Sequence, residues 1–182
     1  AMHGRAMGIA RVLVEVLELT GRKAMLDVGG GPGTYSILLT ERNPGLHSEV
    51  LELPGVAAVA REIVAAAGAT ERVSLRDGDY HSSDFGSGHD VVLMSGMFHR
   101  ENESSCRRLI EKARASLVPG GLLIVSDVFS DEGGCTPPFA ALFGLNMALT
   151  APDGTVHADA DVTAWMGDAG FLVEHRSQIR RH

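Results

Sequence analysis

The chain has 182 residues, which is enough for one α/β domain with a buried core. Its composition, with 45% hydrophobic and 21% charged residues, is ordinary for a soluble globular protein. The formal net charge of −7 argues against a nucleic acid as partner. No apolar run approaches the roughly 20 residues of a membrane span, and the first residues show no signal-peptide pattern. Two cysteines give no disulfide framework and suit a reducing cytoplasm, and the eight scattered histidines lack the paired spacing of a zinc site.

Helix-like and strand-like segments alternate along the chain. We predict strands over 24–28, 50–53, 73–75, 90–94 and 122–126, the last of them fully buried, and a sixth strand opening at Phe171. Helices are predicted up to Thr20, before about Asn43, over 56–68 and over 106–117. After a loop over 128–137, we predict a helix that includes Phe139 and Met147 and a helix from Asp159 to near Gly170. This alternation indicates an α/β fold, with a mostly parallel sheet and helices on both faces. Since no internal repeat or low-complexity tract is present, we expect a single domain over residues 1–182.

The most informative stretch is the run Asp-Val-Gly-Gly-Gly-Pro-Gly over 27–33, which joins the first strand to the next helix. Glycines in such a turn let a ligand approach the backbone closely. A nicotinamide-dinucleotide fingerprint would require a glycine where this chain has Thr34. Asp27 is awkward beside a pyrophosphate but suits a cation. Because S-adenosylmethionine carries an ammonium and a sulfonium and no phosphate, the run favours that cofactor, with Asp27, Gly29 and Gly31 as contacts.

Two further acids follow neighbouring strands. Glu52 ends the second strand, where a carboxylate can accept hydrogen bonds from both ribose hydroxyls, although dinucleotide-binding folds use an acid there too. Asp79 follows the third strand, where a carboxylate can take an adenine amino group. Open α/β sheets bind ligands at the carboxyl ends of their strands, so we predict that these acids and Asp27 form one cofactor site. The alternative is a tight turn flanked by surface charges.

These residues together resemble a known family. The motifs that carry the resemblance are the glycine run, Leu51-Glu52-Leu53-Pro54, Gly78-Asp79, the segment around His99, and Leu117-Val118-Pro119-Gly120-Gly121. They look like the small-molecule O-methyltransferases among the class I S-adenosylmethionine-dependent methyltransferases, which include plant phenolic and bacterial natural-product enzymes. The resemblance extends from about residue 24 to 171, and the position of His99 is more specific to this family than the glycine run. It implies a Rossmann-like methyltransferase sheet, S-adenosylhomocysteine as product, and Leu53, Tyr80 and Ser95 as further cofactor contacts.

Two departures from the family pattern concern the extent of the chain. Family members usually carry an N-terminal helical dimerisation domain, which we expect to be missing from this chain. A seventh, antiparallel strand normally follows the sixth, and we expect the chain to end before that strand forms. We therefore expect a catalytic-domain fragment of a longer protein that dimerises with a second copy in its full-length form. We also expect the sheet to expose an apolar or unpaired edge beside residues 171–179.

His99 follows the fourth strand, and in the family a histidine at this position is the general base. A phenol hydroxyl is a poor nucleophile until its proton leaves, and an imidazole exchanges its proton near neutral pH. Asp127, at the end of the fifth strand, has the position of a family acid beside this histidine. A second family acid falls at Val156, which cannot serve, and the adjacent His157 is no substitute. The alternatives are a residue 99 without a chemical role and a solvated acid at 127.

The helix after residue 137 carries Phe139, Phe143, Asn146 and Met147, which line the acceptor pocket in the family, although such an apolar stripe is core as often as pocket. The leading hypothesis is methyl transfer to a hydroxyl of a small aromatic or natural-product-like molecule in the cytoplasm, with no metal, nucleic-acid or membrane partner. The alternatives are N- or C-methyl transfer, a non-catalytic cofactor-binding domain of the same fold, and a nicotinamide-dependent oxidoreductase.

Overall fold

The structure is a computed structural model that describes residues 2–174. Its elements are α1 (Met2–Val16), β1 (Ala24–Val28), α2 (Thr34–Arg42), β2 (His47–Glu52), α3 (Pro54–Ala66), β3 (Val73–Asp77), β4 (His89–Ser95), α4 (Glu103–Ser116), β5 (Leu117–Ser126), α5 (Pro138–Thr150) and α6 (Asp159–Asp168), with one turn of 3₁₀ helix over Phe98–Arg100. This alternation confirms the predicted α/β class. None of the described helices is both long and apolar enough to cross a membrane.

The five strands form one sheet in the order β3-β2-β1-β4-β5, which confirms the predicted, mostly parallel sheet. β1 is parallel to β2 with Asp27 opposite Val50, and β2 is parallel to β3 with Glu52 opposite Asp77. Because these three strands run in the same direction, their carboxyl ends meet at one edge of the sheet. The loops that follow β1, β2 and β3 therefore start from that edge, where α/β sheets bind ligands.

The described chain groups into two compact units, residues 2–93 with 116–124 and residues 94–115 with 125–174. In the first unit, one apolar core cluster includes Leu13 of α1, Leu39 of α2 and Met25 of β1, and a second joins Val64 of α3 to Val50 of β2. In the second unit, α4 and α6 contribute these buried apolar side chains: Cys106, Leu109, Ile110, Ala113, Val162 and Trp165. The expectation of a single domain stays a prediction.

Two predicted strands were wrong in part. β5 begins at Leu117, directly after α4, instead of at residue 122, and it is not fully buried: its buried residues are Leu117 and Ile124. Among the described residues, β5 stands at the end of the strand order with β4 as its one neighbouring strand, and less of it is covered for that reason. The sixth strand is absent over 171–174, where the apolar run suggested one but Leu172 is 91% exposed. The rest of the predicted edge, to residue 179, lies outside the described residues.

Candidate functional site

Backbone hydrogen bonds hold the glycine loop between β1 and α2. Gly29 N donates to Leu51 O of β2 at 2.8 Å, and Gly33 N donates to Gly30 O at 3.0 Å. Gly31 has a φ of +55°, a left-handed conformation that favours glycine. Apart from Gly31 itself and its two chain neighbours, no atom of the described residues lies within 4 Å of the position that a Cβ on Gly31 would take. The loop therefore leaves open space at Gly31, as a contact with a ligand requires.

Asp27 lies beneath this loop, completely buried, instead of facing open space. Its Oδ2 accepts a hydrogen bond from Ser36 Oγ at 2.7 Å, and its Oδ1 has no partner among the described residues. Burial raises the pKa of Asp27 to about 6; the Ser36 hydrogen bond opposes the rise, and the carboxylate of Glu52 adds to it. The role of Asp27 as a cofactor contact stays a prediction.

Gly30 is a residue that sequence reasoning missed. A Cβ on Gly30 would lie 2.5 Å from Asp27 Cγ, so the loop can cover the carboxyl only if residue 30 has no side chain. The signal that could have identified Gly30 in the sequence is its position three residues after an acid at the end of a buried strand. Position 30 thus serves the shape of the loop.

Glu52 connects the end of β2 to the glycine loop. Its Oε2 accepts a hydrogen bond from Gly31 N at 2.9 Å, and its Oε1 accepts one from Leu53 N at 2.7 Å. Leu53 is the N-cap residue of α3, and its side chain is exposed. The structure thus brings Glu52 and Gly31 into direct contact, as the predicted site requires.

The segment after β3 brings a ring to the same loop. A Cβ on Gly29 would lie 3.5 Å from the ring of Tyr80, so Tyr80 packs against the glycine loop. The adjacent Asp79 is exposed, and its Oδ1 accepts a hydrogen bond from His81 N at 2.8 Å, which forms a tight turn. Tyr80, which follows β3, therefore adjoins the same loop as Glu52, which ends β2.

His99 and Asp127, both in the second unit, form a hydrogen-bonded pair. His99 lies in the 3₁₀ turn after β4, and its Nδ1 is 2.7 Å from Asp127 Oδ1. His99 N also donates to Asp127 Oδ2 at 3.2 Å, and Val128 N donates to Oδ1 at 2.7 Å. An ionised carboxylate only accepts, so the ring hydrogen is on Nδ1 and the lone pair of the neutral ring is on Nε2. This is the tautomer that a general base needs.

The four predicted acceptor-side residues all lie on α5. The ring of Phe143 meets the ring of His99 edge-on with centroids 5.0 Å apart, and it stacks on Phe139 at 5.9 Å. Asn146 is exposed and Met147 is half-buried on the same helix. The structure therefore brings Phe143 to the histidine and Phe139 to Phe143. Ser95, a predicted cofactor contact, is the half-buried last residue of β4.

Val156, which occupies the position of the second family acid, lies against α5. A Cβ on Gly144 of α5 would lie 3.5 Å from Val156, so Val156 packs against that helix. The neighbouring His157 has its Nε2 2.9 Å from Glu101 O, which fixes its ring against a backbone carbonyl. That His157 does not replace the second family acid stays a prediction.

The sheet also has an open depression of about 260 Å³ at the amino ends of β1, β2 and β3, lined among others by Met25, His47 and Val73. It lies at the opposite ends of these strands from the glycine loop, Glu52 and Asp79, so it is not part of the predicted site. Within residues 2–174, no group of His, Cys, Asp and Glu side chains could hold a metal ion.

Comparison with known proteins points to the same chemistry. The O-methyltransferase domain family model matches residues 2–172. The chain is 37% identical over 161 residues to the 3-hydroxy-5-methyl-1-naphthoate 3-O-methyltransferase of Streptomyces sahachiroi, covering 88% of this chain and 46% of that protein. It is 33% identical over 168 residues to the L-tyrosine C(3)-methyltransferase of Streptomyces lavendulae, covering 92% of this chain and 46% of that protein.

The chain is also similar to the solved structure of a methyltransferase. The apo form of the S-adenosylmethionine-dependent methyltransferase SibL is 31% identical, with a TM-score of 0.87 and coverage of 100% of this chain and 53% of that chain. The chain therefore spans about half the length of the relatives that it matches. The cofactor that these similarities indicate is S-adenosylmethionine, in agreement with the glycine loop.

Proposed function

The chain belongs to the O-methyltransferase domain family, and on that premise we propose that it is the catalytic part of an enzyme that methylates a hydroxyl of a small aromatic or natural-product-like molecule. The observation that carries the proposal is the pair of His99 and Asp127, joined at 2.7 Å with the basic nitrogen left on the far side of the ring. The family match supports the cofactor, and the pair supplies the base that a hydroxyl acceptor requires.

The residues around the glycine loop fit S-adenosylmethionine. The cofactor is a cation, and the buried carboxyl of Asp27 offers an oxygen, Oδ1, that has no partner among the described residues. Gly31 leaves open space beside the backbone, and Glu52 lies against it with two acceptor oxygens. We assign the cofactor to these three residues, with further contacts from Gly29, Leu53, Asp79 and Tyr80 of the same unit, while the contact from Ser95 in the second unit stays a prediction. When bound, the cofactor supplies an electrophilic methyl group on a sulfonium.

The proposed mechanism needs one proton transfer from this chain. The Nδ1–H of His99 donates a hydrogen bond to Asp127, and Nε2 takes the hydroxyl proton of the acceptor. The carboxylate of Asp127 then stabilises the imidazolium that results. With its proton removed by His99, the acceptor oxygen would be the nucleophile for the methyl group that the bound cofactor would supply. Phe143 lies edge-on to the base and gives an aromatic acceptor a ring to pack against.

The cofactor assignment is tested by titration calorimetry with S-adenosylhomocysteine and with NAD. We expect S-adenosylhomocysteine to bind and NAD to show no heat of binding, because the loop has Thr34 where a dinucleotide fingerprint has glycine. Binding of NAD without binding of S-adenosylhomocysteine would contradict the proposal.

The base is tested with the substitution His99→Gln on an acceptor identified from a panel of phenols and amines with labelled cofactor. General-base catalysis contributes about 10²–10⁴-fold, so we expect methyl transfer to fall by that factor while the affinity for S-adenosylhomocysteine stays unchanged. His47→Gln is the matched control, because His47 is exposed at the start of β2. Parent-level activity of His99→Gln would show that proximity alone carries the reaction.

C-methylation is a second candidate, favoured by the 33% identity to an L-tyrosine C(3)-methyltransferase. The same base can act there, because removing a phenol proton also makes the ring carbon beside the oxygen nucleophilic. NMR of the methylated product distinguishes the two outcomes: a methoxy signal supports O-methylation, and a ring methyl signal supports C-methylation.

The proposal also covers the setting of the reaction. A single domain over residues 1–182, a small-molecule acceptor, a cytoplasmic location and a homodimer of the full-length protein are parts of it. The net charge of −7 supports a partner other than nucleic acid, and the family resemblance supports the dimer. Light scattering of the full-length protein tests the dimer, for which we expect twice the monomer mass.

A further inference from the structure

Two buried serine hydroxyls lie under the glycine loop and have no part in the mechanism above. Ser36 of α2 donates from its Oγ to Asp27 Oδ2 at 2.7 Å, and Ser48 of β2 lies 2.8 Å from Ser36, oxygen to oxygen. Asp27 and Ser36 are 0% exposed and Ser48 is 1% exposed. A buried polar chain of this kind costs desolvation free energy unless each member is hydrogen-bonded. Its presence in the interior of the first unit points to a role beyond packing.

The number of hydroxyl protons fixes the direction of the chain. A serine hydroxyl has one hydrogen, and that of Ser36 goes to the ionised carboxyl of Asp27. Ser36 can then only accept from Ser48, so the order of donation runs from Ser48 to Ser36 to Asp27. Both hydroxyls therefore stabilise the ionised form of Asp27 and hold its Oδ2 in one position.

The other carboxyl oxygen has an unsatisfied requirement. Oδ1 of Asp27 has no partner among the described residues, and the charged group that acts on Asp27 is the carboxylate of Glu52, at the end of the neighbouring strand β2. The neighbours from α2 and β2, Ser36 and Ser48, are neutral, and the phenol of Tyr80 lies across the loop at Gly29. Burial and the nearby Glu52 raise the pKa of Asp27 to about 6, so a cationic ligand would relieve both effects.

We propose that Ser36 and Ser48 are positioning residues of the cofactor site, which keep the Asp27 carboxyl ionised and oriented so that cofactor binding is coupled to the loss of its proton. The inference rests on the proposed function, because it assumes a cofactor that carries an ammonium group. Neither serine contacts the cofactor; each acts through Asp27.

The wild-type protein has a defined pH response under this proposal. Below about pH 6 the carboxyl of Asp27 holds a proton that the cationic ligand must displace. The affinity for S-adenosylhomocysteine should therefore fall as the pH decreases from 8 to 5, by up to about tenfold per pH unit below the midpoint. Calorimetry in two buffers of different ionisation enthalpy should show proton release on binding, and Asp27→Asn should abolish that release.

The substitutions Ser36→Ala and Ser48→Ala test the serines themselves. Ser36→Ala removes a hydrogen bond to the charged group, so we expect the pH midpoint of binding to move upward by about one pH unit and the affinity at pH 6 to fall about fivefold. Ser48→Ala should shift the midpoint in the same direction by less. Thr40→Val is the matched control: Thr40 is also a buried hydroxyl on α2, but its Oγ1 donates to Ile37 O at 3.2 Å in its own helix.

The results separate this inference from the proposed function. A wild-type protein that binds no S-adenosylhomocysteine at any pH refutes both. Binding whose affinity does not change between pH 5 and 8 refutes the coupling alone. Wild-type midpoints in both serine variants, or an equal shift in Thr40→Val, also overturn it. If Ser36→Ala does not fold, as judged by circular dichroism, Ser48→Ala decides the question because Ser48 does not touch the carboxyl.

Discussion

Replacing Gly30 with alanine should destabilise the protein more than the same change at Gly31. A Cβ at position 30 would lie 2.5 Å from Asp27 Cγ and 2.6 and 2.8 Å from its carboxyl oxygens. These distances are well below the ordinary van der Waals contact range of 3.4–4 Å. The carboxyl cannot move aside easily, because it is fully buried and bonded to Ser36. Overpacking costs about 1–3 kcal/mol, and so close a contact with an immobile group corresponds to the upper end of that range.

Gly31→Ala is the control in the same loop. Its φ of +55° costs an alanine about 1 kcal/mol, but the described residues leave its Cβ position open. In a protein of this size, 1 kcal/mol corresponds to about 2–4 °C in Tm. We therefore expect Tm to fall by about 6–12 °C for Gly30→Ala and by about 2–4 °C for Gly31→Ala, measured by circular dichroism and checked by urea unfolding.

A double-variant cycle tests whether the carboxyl is the cause. Asp27→Ala removes the atoms that the new methyl group would meet, so Gly30→Ala should cost at least about 1 kcal/mol less in that background. The cost of Gly31→Ala should not change. Equal Tm losses for the two glycine variants, or an undiminished cost of Gly30→Ala in the Asp27→Ala background, would refute the steric reasoning.

Three further predictions concern single side chains. Asp127→Asn should slow methyl transfer by at least about 10²-fold at unchanged affinity for S-adenosylhomocysteine, because asparagine lacks the charge that stabilises the imidazolium of His99; parent-level kcat would contradict this. Phe143→Ala should raise KM for an aromatic acceptor about tenfold through loss of its ring contact, whereas an unchanged KM would place the acceptor elsewhere. The pKa of Asp27 is raised from 3.8 to about 6, so the folded state binds the proton of this carboxyl more tightly than the unfolded chain does. The proton therefore contributes to the free energy of unfolding below about pH 4, and this contribution is lost as the pH rises through 6. In urea unfolding from pH 4 to 7, the stability of Asp27→Asn relative to wild type should therefore increase with pH, and a constant difference would be inconsistent with this pKa.

Local pattern was sufficient for much of the fold. β1 was predicted over 24–28 and is found there, because a short apolar run that ends in a glycine turn has few other solutions. The predicted start of β5 was wrong because Pro119, Gly120 and Gly121 suggest a turn. In the structure they lie within β5, the last strand in the order that the described residues form. Whether a strand is central or at an edge is decided by the strand order, which periodicity does not contain.

The candidate site was predictable where a residue type and its place after a strand were enough. Glu52 was predicted from its place at the end of the second strand and Asp127 from the family resemblance. Glu52 accepts hydrogen bonds from Gly31 N and Leu53 N, and Asp127 Oδ1 lies 2.7 Å from His99 Nδ1, while the roles of both residues stay predictions. The burial of Asp27 was not predictable, because it depends on Gly30 crossing over the carboxyl. Ser36 was not identified either, because a single serine in a helix has no pattern until tertiary contacts bring it to a charge.

Glu52 is already half-saturated as a hydrogen-bond acceptor before any ligand arrives. A carboxylate has about four lone-pair positions, and the N–H groups of Gly31 and Leu53 use two of them. Two positions remain, and the ribose of a nucleoside has two free ring hydroxyls, so on the proposed placement the carboxylate of Glu52 can accept one hydrogen bond from each of them. A deoxyribose would leave one position unused, and a ribose with a phosphate on either hydroxyl would bring a like charge to the carboxylate. On that proposed placement, one residue would both hold the loop and favour nucleosides whose two ribose hydroxyls are free.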